Sequence, residues 1–199
     1  MQKRISILGS TGSIGVNALS VIAHLREEFT VEYLSANQNI ELLIEQIKTF
    51  KPKSICVVDE KSYQIFANRL KKFDIEILIG RQGLLEMSSR CDVDIMLNAL
   101  VGASGMEPTI NAIEAGVDIA LSNKESLVMA GDIINKSLLK SSSNLFPVDS
   151  EHSAIWQCLV GEKKSELNKI ILTGSGGPFL KRRLSTFNQI TLEDALKHP

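Results

Sequence analysis

The chain is poor in the features that would assign it to several functional classes. Its three cysteines, Cys56, Cys91 and Cys158, lie far apart and form no CxxC pair. That excludes a zinc knuckle or a disulfide framework and suits a reducing compartment. No apolar run approaches the ~20 residues needed to span a bilayer. The N-terminus enters a strand-like pattern at once, with no room for a signal or transit peptide, so a cytoplasmic protein is expected. Charge of neither sign predominates: 22 basic against 23 acidic residues give a formal net charge of −1. Bulk electrostatics therefore predict neither nucleic acid nor an anionic membrane as a partner. Lys181-Arg182-Arg183 is the one dense basic run and reads as a solvated loop. There are no internal repeats, and Ser141-Ser142-Ser143 is the only low-complexity tract.

What is present is an ordinary globular balance, 44% hydrophobic and 23% charged over 199 residues. A chain of this size buries roughly 70% of its unfolded surface, enough for a proper core. The first half alternates short apolar runs with segments of helical period. Strands are expected at Ile5–Leu8, Val31–Ser35, Ile55–Val58, Ile75–Ile79, Ile95–Asn98 and Ile119–Leu121. Between them, helices are expected from Ile14 to His24, through Ile40, Leu43, Ile44 and Ile47, through Tyr63, Phe66, Ala67 and Leu70, and from Thr109 to Ala115. Repeated βα units whose strands are apolar throughout imply a parallel sheet covered on both faces, a doubly wound, Rossmann-like α/β domain. After about Asn144 the rhythm changes: a strand is expected at Ile170-Ile171-Leu172, a glycine-rich loop at 174–178, and a capping box at Thr191-Leu192-Glu193-Asp194.

Two segments carry chemistry. Gly9-Ser10-Thr11-Gly12-Ser13-Ile14-Gly15 follows the first strand and opens the first helix. Its GxxGxxG spacing departs from the common GxGxxG, but glycines in this context let the backbone approach a pyrophosphate held on free N–H groups at the helix N-terminus. The Thr11 and Ser13 hydroxyls can add hydrogen bonds. The end of the second strand, Ser35-Ala36-Asn37-Gln38-Asn39, has no carboxylate for a ribose 2′-OH, so NADP is preferred over NAD, although no Arg or Lys stands there to grip a 2′-phosphate. The second segment is Asp149-Ser150-Glu151-His152. If the chain is extended there, Asp149 and Glu151 point to the same side and can share a hard cation such as Mg²⁺ or Mn²⁺; the alternative is a helix start, with Asp149 or Ser150 as N-cap.

With Leu121-Ser122-Asn123-Lys124-Glu125-Ser126-Leu127, Pro147 to Ile155 and Leu172-Thr173-Gly174-Ser175-Gly176-Gly177-Pro178-Phe179 added in series to the glycine turn, the sequence resembles the 1-deoxy-D-xylulose 5-phosphate reductoisomerase family over its whole length. The resemblance implies an enzyme of isoprenoid precursor synthesis. It would rearrange 1-deoxy-D-xylulose 5-phosphate and reduce the product with NADPH to 2-C-methyl-D-erythritol 4-phosphate. It also implies roles: Thr11, Gly12, Ser13, Ile14, Asn39, Asn123 and Glu125 on NADPH; Lys124 on substrate; Asp149 and Glu151 on the divalent cation; Ser150, Glu151, Ser175 and His198 on the sugar phosphate. Lys124, Asp149 and Glu151 would be the catalytic set. Residues 1–145 would form the NADPH-binding domain and 146–199 the beginning of an α+β catalytic domain. A homodimer is the family's usual state.

The sequence departs from the family pattern at Asn37, where glycine is usual and a left-handed backbone is expected. It also stops at His198-Pro199, short of the family's third carboxylate ligand and C-terminal helical domain. The chain is therefore expected to be the front portion of something longer, binding NADPH with little or no turnover. Two other readings compete. One is a different GxxGxxG dehydrogenase with Cys158 as nucleophile, against which a small buried cysteine is the simpler explanation. The other is a nucleotide-binding module without catalysis.

Overall fold

A computed structural model describes residues 2–172, 174 and 176–197. The chain divides into two compact units, Met1–Trp156 and Gln157–Pro199. In the first, β1 (Lys3–Leu8), β2 (Phe29–Ala36), β3 (Ser54–Val57) and β4 (Glu76–Ile79) alternate with α1 (Ser13–His24), α2 (Ile40–Phe50) and α3 (Glu60–Leu70). Then follow α4 (Gly80–Ser88), β5 (Ile95–Asn98), α5 (Met106–Glu114), β6 (Asp118–Leu121), α6 (Lys124–Leu138), β7 (Leu145–Pro147) and α7 (Ser150–Leu159).

The seven strands form one sheet in the order β4-β3-β2-β1-β5-β6-β7, with every neighbouring pair parallel. The chain thus winds outward from β1 to β4, returns, and winds the other way through β5 to β7. The doubly wound parallel sheet read from the sequence is present, and its order reverses between β1 and β5. Such a reversal opens a crevice at the carboxyl ends of the strands, where ligands of open α/β sheets bind.

Strand alternation feeds two cores. Ile5, Ile7, Leu34, Ile55 and Val57 pack with Leu19 and Ile22 of α1 and with Leu43, Ile44 and Ile47 of α2. Leu8, Tyr33, Cys56, Met96 and Ile119 pack on the other face with Leu84 and Met87 of α4, Ile113 of α5 and Ile134 of α6. A register shift between Ile5 and Ser6 keeps both faces in phase along β1 and β2. Burial also governs the one thiol in this core: Cys56 is fully buried and its pKa is pushed up to about 12 by desolvation.

Several details differ from the sequence reading. The helices α4 and α6 were not anticipated. Two glycines, Gly80 and Gly83, depress the helical signal of α4, and only Leu84 and Met87 mark its buried face. Asn37 does not adopt a left-handed backbone; among described non-glycine residues only Lys51, at φ 50°, does so, closing α2 ahead of Pro52. With an ordinary φ, asparagine at 37 needs no glycine-like freedom.

The second unit, taken alone, has short 3-10 turns at Lys164–Glu166, Gly177–Phe179 and Leu184–Gln189, and α8 (Leu192–Leu196). The capping box is present: Thr191 accepts from the Asp194 N–H while Asp194 accepts from the Thr191 N–H. Ile170-Ile171-Leu172 is not a strand. Those residues are 53%, 69% and 72% exposed, and no described strand pairs with them. A lone apolar run has no ladder to satisfy its backbone. Cys158, expected to be buried, is exposed on α7.

Asp94 ties the approach to β5 back onto β1. It accepts from the Arg4 backbone N–H at 2.7 Å and from the Arg4 guanidinium at 2.8 and 3.2 Å, which hold its pKa down at about 2. A carboxylate depressed by folding contributes stability above its unfolded pKa of about 4, and that contribution is lost as pH falls toward 2. Asp94→Asn should flatten the fall of urea-unfolding free energy between pH 4 and 2; an unchanged slope would show that the pair contributes nothing.

Candidate active site at the carboxyl edge of the sheet

Because all strands are parallel, their carboxyl ends share one edge. From that edge spring α1 after β1, α6 after β6 and α7 after β7. β1 and β7 are three strand spacings apart, roughly 14 Å.

The glycine turn joins β1 to α1 and takes its shape from two close approaches. Gly9 has φ 85°, and a Cβ there would stand 2.8 Å from the Ala99 carbonyl oxygen. A Cβ on Gly15 would collide with the Gly9 carbonyl and stand 2.5 Å from Ser10 Cα. Buried polar groups hold the turn from behind. Ser35 Oγ accepts from the Gly9 N–H at 3.0 Å, and the Ser35 carbonyl accepts from the Ser10 N–H at 2.8 Å. The Ser10 hydroxyl donates to Gln46 Oε1 at 2.7 Å, and Gln46 Nε2 donates back to the Ser10 carbonyl at 2.8 Å. Gly12 is the N-cap of α1, and no side chain caps the helix. The N–H groups of Ser13, Ile14 and Gly15, which an α-helix leaves without internal partners, are thus available to an anion. Thr11 is half-buried; Gly12, Ser13 and Ile14 are exposed.

A cleft of about 730 Å³ opens beside this turn, within the usual range for small-molecule sites. Thr11, Gly12, Asn37 to Asn39, Leu84, Leu100 and Val101 are among its lining. Arg81, at the start of α4, is the only charged residue among the lining. Asn39 caps α2, its side chain accepting from the Leu42 N–H at 3.3 Å.

Two buried amides fix the far wall. Asn98 donates through Nδ2 to the Gly105 carbonyl and to Thr109 Oγ1, both at 2.8 Å. Asn123 is 1% exposed and donates to the Leu100 and Gly102 carbonyls, both at 2.9 Å. It also caps α6, accepting from the Ser126 N–H at 3.1 Å and from the Ser126 hydroxyl. The Asn123 side chain is committed to the scaffold. Glu125 is half-buried in the first turn of α6.

Beyond it lies the acidic segment. α7 starts at Ser150, so the chain is not extended through Asp149 and Glu151; the helix-start alternative is the one adopted, the Asp149 carbonyl accepting from the Ser153 N–H at 2.8 Å. Asp149 Oδ2 accepts from Lys124 Nζ at 3.0 Å, and Oδ1 lies 2.7 Å from His152 Nδ1. The His152 and Lys124 hydrogen bonds hold the Asp149 pKa down at about 2, and the Asp149 contact raises that of Lys124. An ionised carboxylate therefore faces a protonated ammonium across the first turns of α6 and α7. Ser150 and Glu151 are exposed beside them. Val148 lines a groove together with Ile14, so the segment leading to Asp149 runs close to the first turn of α1. Ser175 and His198 lie outside the described residues.

No group of three or more His, Cys, Asp or Glu among the described residues forms a ready metal cluster. Mg²⁺ asks for less: one or two carboxylates, with water and substrate oxygens completing the shell. Asp149 and Glu151 are carboxylates of that type at this edge, but the turn into α7 removes the extended alignment that would point both to one side, and the Asp149 oxygens already contact Lys124 and His152.

A doubly wound sheet with a glycine turn at its reversal and an uncapped helix above it defines the class of dinucleotide-binding α/β proteins. At 17% identity and a TM-score of 0.52, a hyperthermophilic archaeal homoserine dehydrogenase in complex with NADPH shares this fold over 75% of the chain. The family is narrower. The profile of 1-deoxy-D-xylulose 5-phosphate reductoisomerase matches residues 5–131, and that of the same enzyme's C-terminal domain matches 145–199. The chain belongs to the 1-deoxy-D-xylulose 5-phosphate reductoisomerase family. The enzyme of that name from Chloroherpeton thalassium is 49% identical over 99% of this chain and 51% of its own length. That of Halothermothrix orenii is 43% identical over 100% and 52%. The Zymomonas mobilis enzyme in complex with NADPH superposes with a TM-score of 0.92 at 34% identity, covering 100% of this chain and 52% of its own. A reductoisomerase in complex with NADPH, fosmidomycin and magnesium gives 0.85 at 33%, covering 100% and 51%. The chain spans about half the length of the curated relatives it matches.

Sequence reasoning missed Ser10, Ser35, Gln46 and Asn98, the polar groups that brace the cleft, and Arg81. Ser35 and Asn98 are signalled by polarity near the carboxyl ends of their strands, whereas Ser10 in the turn, Gln46 within α2 and Arg81 at the start of α4 carry no local signal. Asn123→Ala should remove a helix cap and strand two buried carbonyls, costing about 2–4 kcal/mol in urea unfolding. A loss below ~0.5 kcal/mol, within the range of an ordinary surface substitution, would contradict the bracing role.

Proposed function

We propose that this chain supplies the nucleotide-binding part and the beginning of the catalytic part of an NADPH- and divalent-metal-dependent 1-deoxy-D-xylulose 5-phosphate reductoisomerase. The observation that carries the reading is the sharing of one sheet edge by the uncapped N-terminus of α1 and the Lys124–Asp149 pair, on the two sides of the strand reversal. Identity of 43–49% to reductoisomerases across essentially the whole chain supports it.

In this reading the cofactor pyrophosphate rests on the N–H groups of Ser13 and Ile14, with Thr11 and Gly12 closing the turn around it. Asn39 borders the adenosine side, and Asn123 and Glu125 the nicotinamide side. NADPH supplies the hydride that reduces the rearranged aldehyde. Asp149 and Glu151 would hold Mg²⁺ or Mn²⁺, which when bound would supply Lewis-acid stabilisation of charge on the substrate oxygens. Lys124, kept protonated by Asp149, offsets negative charge on the sugar phosphate or cofactor. Ser150, Ser175 and His198 are the residues assigned to the substrate, Ser175 to its phosphate. Residues 1–145 serve as the NADPH domain and 146–199 as the opening of the catalytic domain. In this reading the protein is a cytoplasmic homodimer, the family's usual state. Separately, no described helix is long and apolar enough to cross a membrane.

Ser13→Asp separates cofactor binding from folding. A carboxylate in the first turn of α1 should leave stability unchanged or raise it by about 0.3–1 kcal/mol through the helix dipole. In fluorescence titration the same carboxylate, repelling a pyrophosphate a few ångströms away, should weaken NADPH binding at least tenfold. NADPH affinity equal to that of the unsubstituted chain would remove the pyrophosphate from α1 and with it the proposal.

A further inference from the structure

Resting on the NADPH reading above, we propose that Arg81 recognises the adenosine 2′-phosphate and so sets the preference for NADPH over NADH. The problem it solves is specific to this chain. The end of β2, where a cofactor's ribose is read, carries Asn37, Gln38 and Asn39, with neither a carboxylate to hold a 2′-OH nor a cation to hold a phosphate. Within the cleft the charge arrives from another strand. Arg81 follows β4 at the same carboxyl edge, two strands from β2, and lines the cleft opposite that asparagine-rich turn.

The guanidinium is positioned and still available. Arg81 Nη1 donates to the Ser104 carbonyl at 2.6 Å and Nη2 to Glu107, which holds the side chain between α4 and the turn that leads into α5. Its side chain is 37% exposed and that of Glu107 56%, and an ion pair so open to water is weak and readily exchanged. Arginine presents five donors in a planar fork suited to phosphate, and the two bonds present leave others free. No carboxylate lines the cleft to repel a dianion.

The test is the ratio of NADPH to NADH affinity in the chain and its variants, read by fluorescence titration, with 2′,5′-ADP and 5′-AMP as competing probes. Arg81→Gln should weaken NADPH and 2′,5′-ADP about tenfold to a hundredfold, as loss of a charged hydrogen bond does, and change NADH and 5′-AMP less than twofold. Arg81→Lys should restore part of the loss. Glu107→Gln, which frees the guanidinium from its competing carboxylate, should leave NADPH affinity equal or tighter. Equal weakening of both dinucleotides in Arg81→Gln would mean that the side chain packs on the adenine, and would overturn the assignment. So would an unchanged ratio alongside intact NADPH binding. Failure of the unsubstituted chain to bind either dinucleotide would overturn the proposed function itself.

Discussion

The structure depends on a knot of hydrogen bonds behind the glycine turn. Ser10 is fully buried, Ser35 likewise, and Gln46 is 6% exposed, so each polar atom must find its partner inside the protein. They find one another: β2 accepts two N–H groups of the turn, and α2 exchanges two hydrogen bonds with Ser10. A turn with this much glycine loses much entropy on ordering. Its shape survives because the neighbouring βα unit clamps it. The clamp faces inward and leaves the first N–H groups of α1 without a side-chain cap, next to the cleft that Thr11 and Gly12 line.

The same logic repeats along the edge. Asn98 ends β5 and Asn123 follows β6, and each turns its amide inward to hold the loop that lines the far wall. Beyond them α6 and α7 start side by side with Lys124 and Asp149 facing. An ammonium and an imidazole both contact the Asp149 carboxylate, which stays ionised far below neutral pH. That carboxylate also stands at a helix N-terminus, where negative charge is favoured. The wall is thus rigid where it shapes the cleft and charged where chemistry would be done.

The legible part of this arrangement was whatever depends on local pattern. Apolar runs such as Ile95–Asn98 and helical spacing such as Ile40, Leu43, Ile44 and Ile47 mark elements because burial selects those residues directly. The capping box at Thr191 was legible for the same reason, being a contact between neighbours in sequence. What failed depended on partners distant in the chain. Ile170-Ile171-Leu172 has strand composition but no neighbour to pair with. Gln46 reads as one polar position on an amphipathic helix, and nothing nearby says that it reaches Ser10. Of the two readings open for Asp149 and Glu151, the helix start is the one the chain adopts and the extended i, i+2 alignment is not, because the backbone turns into α7 at Ser150.

A parallel sheet makes the carboxyl ends of its strands equivalent in one respect: each delivers its next residue to the same edge. A cation needed beside the ribose does not have to come from the turn after β2; the first residues after any strand within side-chain reach can serve. Arginine has the longest reach of the charged side chains, and Gly80 at φ 71° immediately before Arg81 turns the chain sharply off β4. Reading cofactor preference from the β2 turn alone therefore finds asparagines and no charge. Reading it from the described residues that line the cleft finds one guanidinium, Arg81, bonded to the Ser104 carbonyl and to Glu107 in the first turn of α5. On the proposed assignment the preference would belong to the edge as a unit, and Asn39 is left to cap α2.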